Sequence, residues 1–148
     1  MSRERAQQIL KELNKRQEEN RLNYYQPYEF QKRFHKAGID ANQRLLMAAN
    51  RVGKSYVGAM EMAAHLTGLY PKWWKGKKFD KPIKSWVCGA SNETTRDICQ
   101  RELFGQPDNP RDKGKGSIPK HLIGETTRKP GVPNAHSSVL VKHRTGGW

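Results

Sequence analysis

Apolar residues at Ala6, Ile9, Leu10 and Leu13 recur at the spacing of one helical face, so the sequence predicts a charged helix from about Ser2 to Asn23. Beyond Leu13 that face turns polar, with Gln17 and Asn20. A stripe this short fits an arm or docking helix, and equally a frayed terminal helix. Gln26-Pro27 then breaks the chain. A second short helix is predicted over 28–37, with Phe30 and Phe34 on one face and Gly38 as its stop. Residues 43–49 (QRLLMAA) read as a buried strand and 50–54 as a loop. Residues 55–66 read as a helix rich in Ala and Met, halted at Gly68.

The pattern repeats with less force downstream. Residues 85–89 (SWVCG) read as a second strand, and Ser91 or Asn92 can cap a helix that runs to about Leu103. Strand–loop–helix followed by strand–helix is the order of a parallel α/β sheet. Residues 105–134 are rich in Gly, Pro, Asp and Lys and are predicted to be loop, with one helical turn near 119–123. Residues 137–143 (SSVLVKH) alternate weakly and read as a third strand. There is no internal repeat.

The junction of the first strand and its helix carries the sharpest chemistry. Ala48-Ala49-Asn50-Arg51-Val52-Gly53-Lys54-Ser55 follows the phosphate-loop pattern G-x-x-x-x-G-K-[ST], with Ala48 in place of the first glycine. Gly53 lets the backbone approach phosphate oxygens with no Cβ in the way. The loop N–H groups of Ala49, Asn50, Arg51, Val52 and Gly53 and the helix N-terminus through Lys54, Ser55 and Tyr56 would face the anion. Lys54 would neutralise the β and γ phosphates, and the Ser55 hydroxyl would reach Mg²⁺. Arg51 would act catalytically as an arginine finger, or it is a solvated side chain on an exposed loop. Upstream, Tyr28 and Gln31 are of the kinds that stack on and hydrogen-bond adenine, or they are simply an exposed Tyr and Gln on a short helix. A polar turn before an ordinary helix is the competing reading of the loop.

Charge fits such a ligand. Lys and Arg number 28 against 14 Asp and Glu, a formal net charge of +14 that favours polyanions (nucleic acid or nucleotide phosphates), with solubility alone or attraction to a membrane surface as the competing readings. With 34% hydrophobic residues, a compact fold would have a modest core. Cys88 and Cys99 form no CxxC, and neither they nor the five histidines make a metal spacing, so a reducing, cytosolic setting is expected. There is no apolar leader in MSRERAQQIL and no run of membrane-spanning length. Trp73 and Trp74 stand among lysines in 69–84; the tryptophans either pack on the domain or stack on bases, and the lysines suit phosphate contact. No apolar strand ends in Asp-Glu. Glu93, Asp97, Glu102 and Glu125 are isolated carboxylates without that setting.

With these residues laid out, the chain resembles the N-terminal ATPase region of the large terminase subunit of tailed bacteriophages, of the headful-packaging podovirus type. The likeness runs from about Pro27 to Lys142 through PYEFQKRFHKAG, LLMAANRVGKSYVGAMEMAAHLTGLYP, WKGKKFDKPIKSWVCGASNETT, GSIPKHLIG and SVLVKH. The resemblance implies an ATP-driven motor that pumps double-stranded DNA into a procapsid. It implies portal and small-terminase partners, no membrane, the host cell cytoplasm, and a separate C-terminal nuclease. It places Lys54 and Ser55 on phosphate and Mg²⁺, Tyr28 and Gln31 in the adenine-reading segment, and 89–94 where related translocases touch DNA. Many relatives carry Gly at the position of Ala48 or Ala49, and arginine at that of Asn50.

The expectation is therefore a helical N-terminal arm over 1–26 and a partial P-loop ATPase domain over 27–148. That domain is an α/β core with a parallel sheet, incomplete at its C-terminal end, whose Asp-Glu strand lies beyond Trp148. ATPase activity of the 148 residues alone is uncertain on this reading. A helicase-like nucleic-acid ATPase fragment and a non-catalytic basic DNA-binding module are the alternatives.

Overall fold

The computed structural model describes residues 3–148; the expected helix start at Ser2 lies outside them. Helix α1 spans Arg3–Glu19 and buries none of its own residues. The turn that follows it is anchored, because Leu22 and Tyr25 are buried in the core. Helix α2 is Glu29–Ala37 and ends at Gly38. Helix α3 is Lys54–Thr67, starting from Gly53 and stopping at Gly68, both with positive φ (83° and 70°). No helix among the described residues is long and apolar enough to cross a membrane.

Helix α3 is the hub. Val57, Ala59, Met60, Ala63 and Ala64 are all buried, and small side chains on several faces let neighbours close in from more than one side. Tyr25 and Trp74 join it in the main cluster, together with Leu103, Ile118 and Val141. The tryptophans of the basic loop pack on the domain: Trp74 is buried, its indole N–H donates to the Lys77 carbonyl, and that of Trp73 donates to the Tyr25 carbonyl. A continuous helical run follows, made of Asn92–Thr94, a π-helical stretch Thr95–Gln100 and Arg101–Phe104. Ser91 caps it by accepting from the Thr94 N–H, as its sequence position predicts.

The strands differ from expectation in two ways. Residues 124–128, read as loop, form with Ile123 the strand β1 (Ile123–Arg128), which pairs antiparallel with β2 (His136–Val141). The sequence IGETTR has no hydrophobic alternation of its own; its partner supplies the reason to extend. The expected third strand therefore exists, as half of a hairpin. The expected strands at 43–49 and 85–89 form no ladder among the described residues. Leu45 and Met47 are each 81% exposed and Trp86 is 91% exposed, so side chains read as sheet core face solvent.

Candidate functional site

The loop of interest is shaped by two left-handed residues. Arg51 has φ 64° and Gly53 φ 83°, and the alternation turns the chain from the irregular 44–49 segment into the first turn of α3. Left-handed backbone is free for glycine, whereas it costs arginine about 1 kcal/mol. Val57 N–H is the first of this region to find a carbonyl, that of Gly53. Among the described residues the N–H groups of 50–56 make no hydrogen bond. They form a row of unspent donors at the positive end of a 14-residue helix.

Lys54 sits at the centre of this row. Its Nζ donates to the carbonyls of Ala48 and Ala49, at 2.8 and 2.7 Å, folding back over the loop that precedes it. Asn50 and Arg51 are exposed, Val52 is half-buried, and the Ser55 side chain is exposed on the first turn. Ser55 also lines a cavity of about 340 Å³ with Ala59, Met62, Trp86, Cys88 and Glu102. Glu102 thus shares a wall with Ser55, although its carboxylate pairs with Arg101 at 3.5 Å. No group of three potential metal ligands occurs among the described residues.

The upstream residues meet the loop unequally. Gln31 is buried, and its Oε1 accepts the Tyr28 N–H at 2.9 Å, fastening the start of α2. Its Nε2 faces Gly53, and a Cβ there would come within 3.4 Å of it. Tyr28 is 71% exposed and stacked on Phe30 at 6.2 Å. Tyr56 turns away from the loop: its ring meets Tyr25 edge-on at 5.5 Å, and burial raises its phenol while Arg21 opposes the shift.

Beneath the loop lies a buried polar cluster. Glu61 of α3 accepts from His35 of α2 and from Arg44 at the start of the 44–49 segment, and His65 lies one turn further along α3. Burial alone would raise the Glu61 carboxyl, but bonds from His35, His65 and Arg44 outweigh it and hold it well below the usual carboxylate range. Tyr25 completes the chain through its hydroxyl, 3.0 Å from His35 Nε2. These residues join the three elements that bound the loop. Only the Glu61/His65 spacing, one turn apart in an otherwise apolar helix, signals them in the sequence.

The sequence model of the family described as "Terminase large subunit, T4likevirus-type, N-terminal" matches residues 45–147. The chain belongs to the terminase large-subunit family. It is 39% identical, over 150 aligned positions covering 93% of this chain, to the "Terminase, large subunit" of Salmonella phage P22. The alignment takes in 30% of that relative's length, so this terminase chain corresponds to under a third of it. No solved structure matches the chain. The family match begins within the 44–49 segment that leads into Gly53, Lys54 and Ser55, and it includes all of α3.

Proposed function

We propose that the 48–55 loop binds the phosphates of ATP and that the chain is the nucleotide-binding part of a viral DNA-packaging motor. The observation that carries this reading is the row of unspent N–H donors over 50–56, with the Lys54 ammonium folded beside it, in a terminase large-subunit chain. Such a row favours an anion through both hydrogen bonds and the helix dipole. The donor set fits a polyphosphate and offers Mg²⁺ one hydroxyl, that of Ser55.

When bound, ATP and Mg²⁺ supply the cleavable phosphoanhydride and the cation that offsets its charge. The chain's own part is to hold and orient. The backbone of Ala49, Asn50, Arg51, Val52 and Gly53 would cradle the phosphates. Lys54, now on the Ala48 and Ala49 carbonyls, would neutralise the β and γ phosphates. The Ser55 hydroxyl would be the side-chain ligand offered to Mg²⁺. Tyr28 has the free face that stacking on adenine needs. Gln31, with its Oε1 spent on Tyr28, has its amide N–H left for the base or for the loop.

The segments 43–49 and 85–89 are, on this reading, strands of a parallel sheet whose other members come from further terminase sequence. Their unpaired backbones and exposed Leu45, Met47 and Trp86 support it. Double-stranded DNA, portal and small-subunit partners, and the host cell cytoplasm belong to the whole packaging machine and are proposed with it.

The test is titration of the 148-residue chain with a fluorescent ATP analogue and Mg²⁺. Saturable binding, weakened at least tenfold by Lys54→Ala, is expected, with little turnover because no strand ending in Asp-Glu accompanies the loop in these 148 residues. No binding by a folded sample would reject the loop assignment. Brisk turnover abolished by Lys54→Ala would reject the view that further carboxylates are required.

A further inference from the structure

The outer face of α2 carries Lys32, Arg33 and Lys36, all exposed. Opposite them stands Lys75, brought there by a close approach: a Cβ on Gly76 would lie 2.5 Å from the His35 carbonyl oxygen, so only glycine lets this turn rest on α2. Trp73 forms the wall between, and together with Glu29 these residues line a groove of about 460 Å³. Lys32 is paired with Glu29 at 3.4 Å. Arg33, Lys36 and Lys75 form no ion pair among the described residues. Four cations against one exposed carboxylate make this a concentrated positive site in a chain of net charge +14.

We propose that this groove grips the phosphate backbone of duplex DNA. The inference rests on the DNA-handling reading above, and it assigns that role to a surface distinct from the nucleotide loop. Lys32 and Lys36 are one helical turn apart, about 6 Å along the axis. One DNA strand places a phosphate every ~3.4 Å of its own axis, so the pair spans about two successive phosphates. The wall decides between backbone and base. The Trp73 indole N–H is held by the Tyr25 carbonyl, and its ring is fixed by Tyr25, His35 and Trp74 at 5.6–6.0 Å. A ring so packed cannot swing out to stack on an unpaired base. What remains is charge on a rigid helix, which reads phosphate and not sequence.

Fluorescence anisotropy with a labelled 20-base-pair duplex, over a range of salt, tests this on the full 148-residue chain. Replacing Arg33, Lys36 and Lys75 by Ala should weaken binding about tenfold or more and lower the slope of log K against log salt by about 2–3. The matched loss of Lys11, Lys15 and Lys129, exposed and outside the groove, should change both far less. Equal loss from both triple variants would show that net charge alone acts and would overturn the groove while leaving the DNA-handling reading in place. Failure of the parent chain to bind duplex at low salt would remove both. Poly-glutamate competing better than unlabelled duplex would overturn the choice of partner in favour of an acidic protein segment. Circular dichroism of each variant separates these results from unfolding.

Discussion

The Nδ1 of His35 stands 2.8 Å from Oε2 of Glu61, and the contact ties α2 to α3 across 26 residues of sequence. The other oxygen of the carboxylate takes Arg44, which also donates to the Phe34 carbonyl and lies over the Phe34 ring. One buried anion therefore fixes the helix before the 44–49 segment, the segment itself and the helix after the loop. A loop that is to meet phosphate with its backbone needs such rigid flanks.

Glu61→Gln removes that anion and leaves Arg44 facing a neutral amide in a largely buried site. Breaking a buried pair costs about 3–5 kcal/mol. The Arg44 side chain is 23% exposed, which points to the lower end. Urea unfolding should show a loss of about 3 kcal/mol with an unchanged slope, and a change below half that size would mean the cluster is ornamental to the fold.

The same carboxylate makes stability depend on pH. In the unfolded chain it titrates near its ordinary value of 4.5; in the folded chain its three donors hold it lower. The unfolded state then takes up the proton first on acidification. Its stabilising contribution is complete above the unfolded value and is lost progressively as pH falls towards the folded one. Melting temperature should fall as pH drops from 5 to 3, and the Glu61→Gln variant should show a visibly flatter profile over that range.

Tyr25→Phe probes the far end of the chain. Nδ1 of His35 lies against Glu61, and Nε2 lies 3.0 Å from the Tyr25 hydroxyl. Loss of the hydroxyl leaves that buried ring nitrogen without its partner, at about 1–3 kcal/mol. The ring keeps its edge contacts with Tyr56 and Trp73, so little packing should be lost. A neutral effect in thermal unfolding would indicate that water replaces the hydroxyl.

Much of this fold is legible in the sequence. The helices follow from apolar spacing and from Pro27, Gly38, Gly53 and Gly68, because caps and stops are local. The β1 strand is not legible, since Thr126 and Thr127 extend only by virtue of Val139 and Ser138 opposite. Nor is the Glu61 cluster, whose members come from three elements. The loop is legible in Gly53, Lys54 and Ser55, and the structure adds that Lys54 rests on carbonyls and that Arg51 is left-handed. The segments at 43–49 and 85–89 carry the composition of buried strands, but strand pairing is a property of neighbours, and the described residues supply none.

Two glycines with the same backbone sign should respond differently to alanine. At Gly53 the cost is conformational, about 1–2 kcal/mol, because the added Cβ meets only Gln31 Nε2, at 3.4 Å. At Gly68 the same backbone cost adds to a collision with the buried His143 ring. Denaturation of the two variants should rank Gly68→Ala as clearly the more destabilising. Nucleotide titration should rank them in the opposite order, since Gly53 alone lies in the loop.

Met47 offers a direct test of the sheet proposal. Its side chain is 81% exposed in the described chain, so Met47→Ala there should change stability by no more than about 0.5 kcal/mol. In a longer terminase chain that supplies the missing neighbours, the same side chain would be covered on both faces of a sheet. Its truncation should then cost about 2–5 kcal/mol. The comparison is internal, because the substitution and the local sequence are identical in the two proteins. Equal, small effects in both would mean that 44–49 stays exposed and that the parallel sheet is not built on it. A large effect confined to the longer chain would place this segment in the sheet interior, directly ahead of the loop that ends at Ser55.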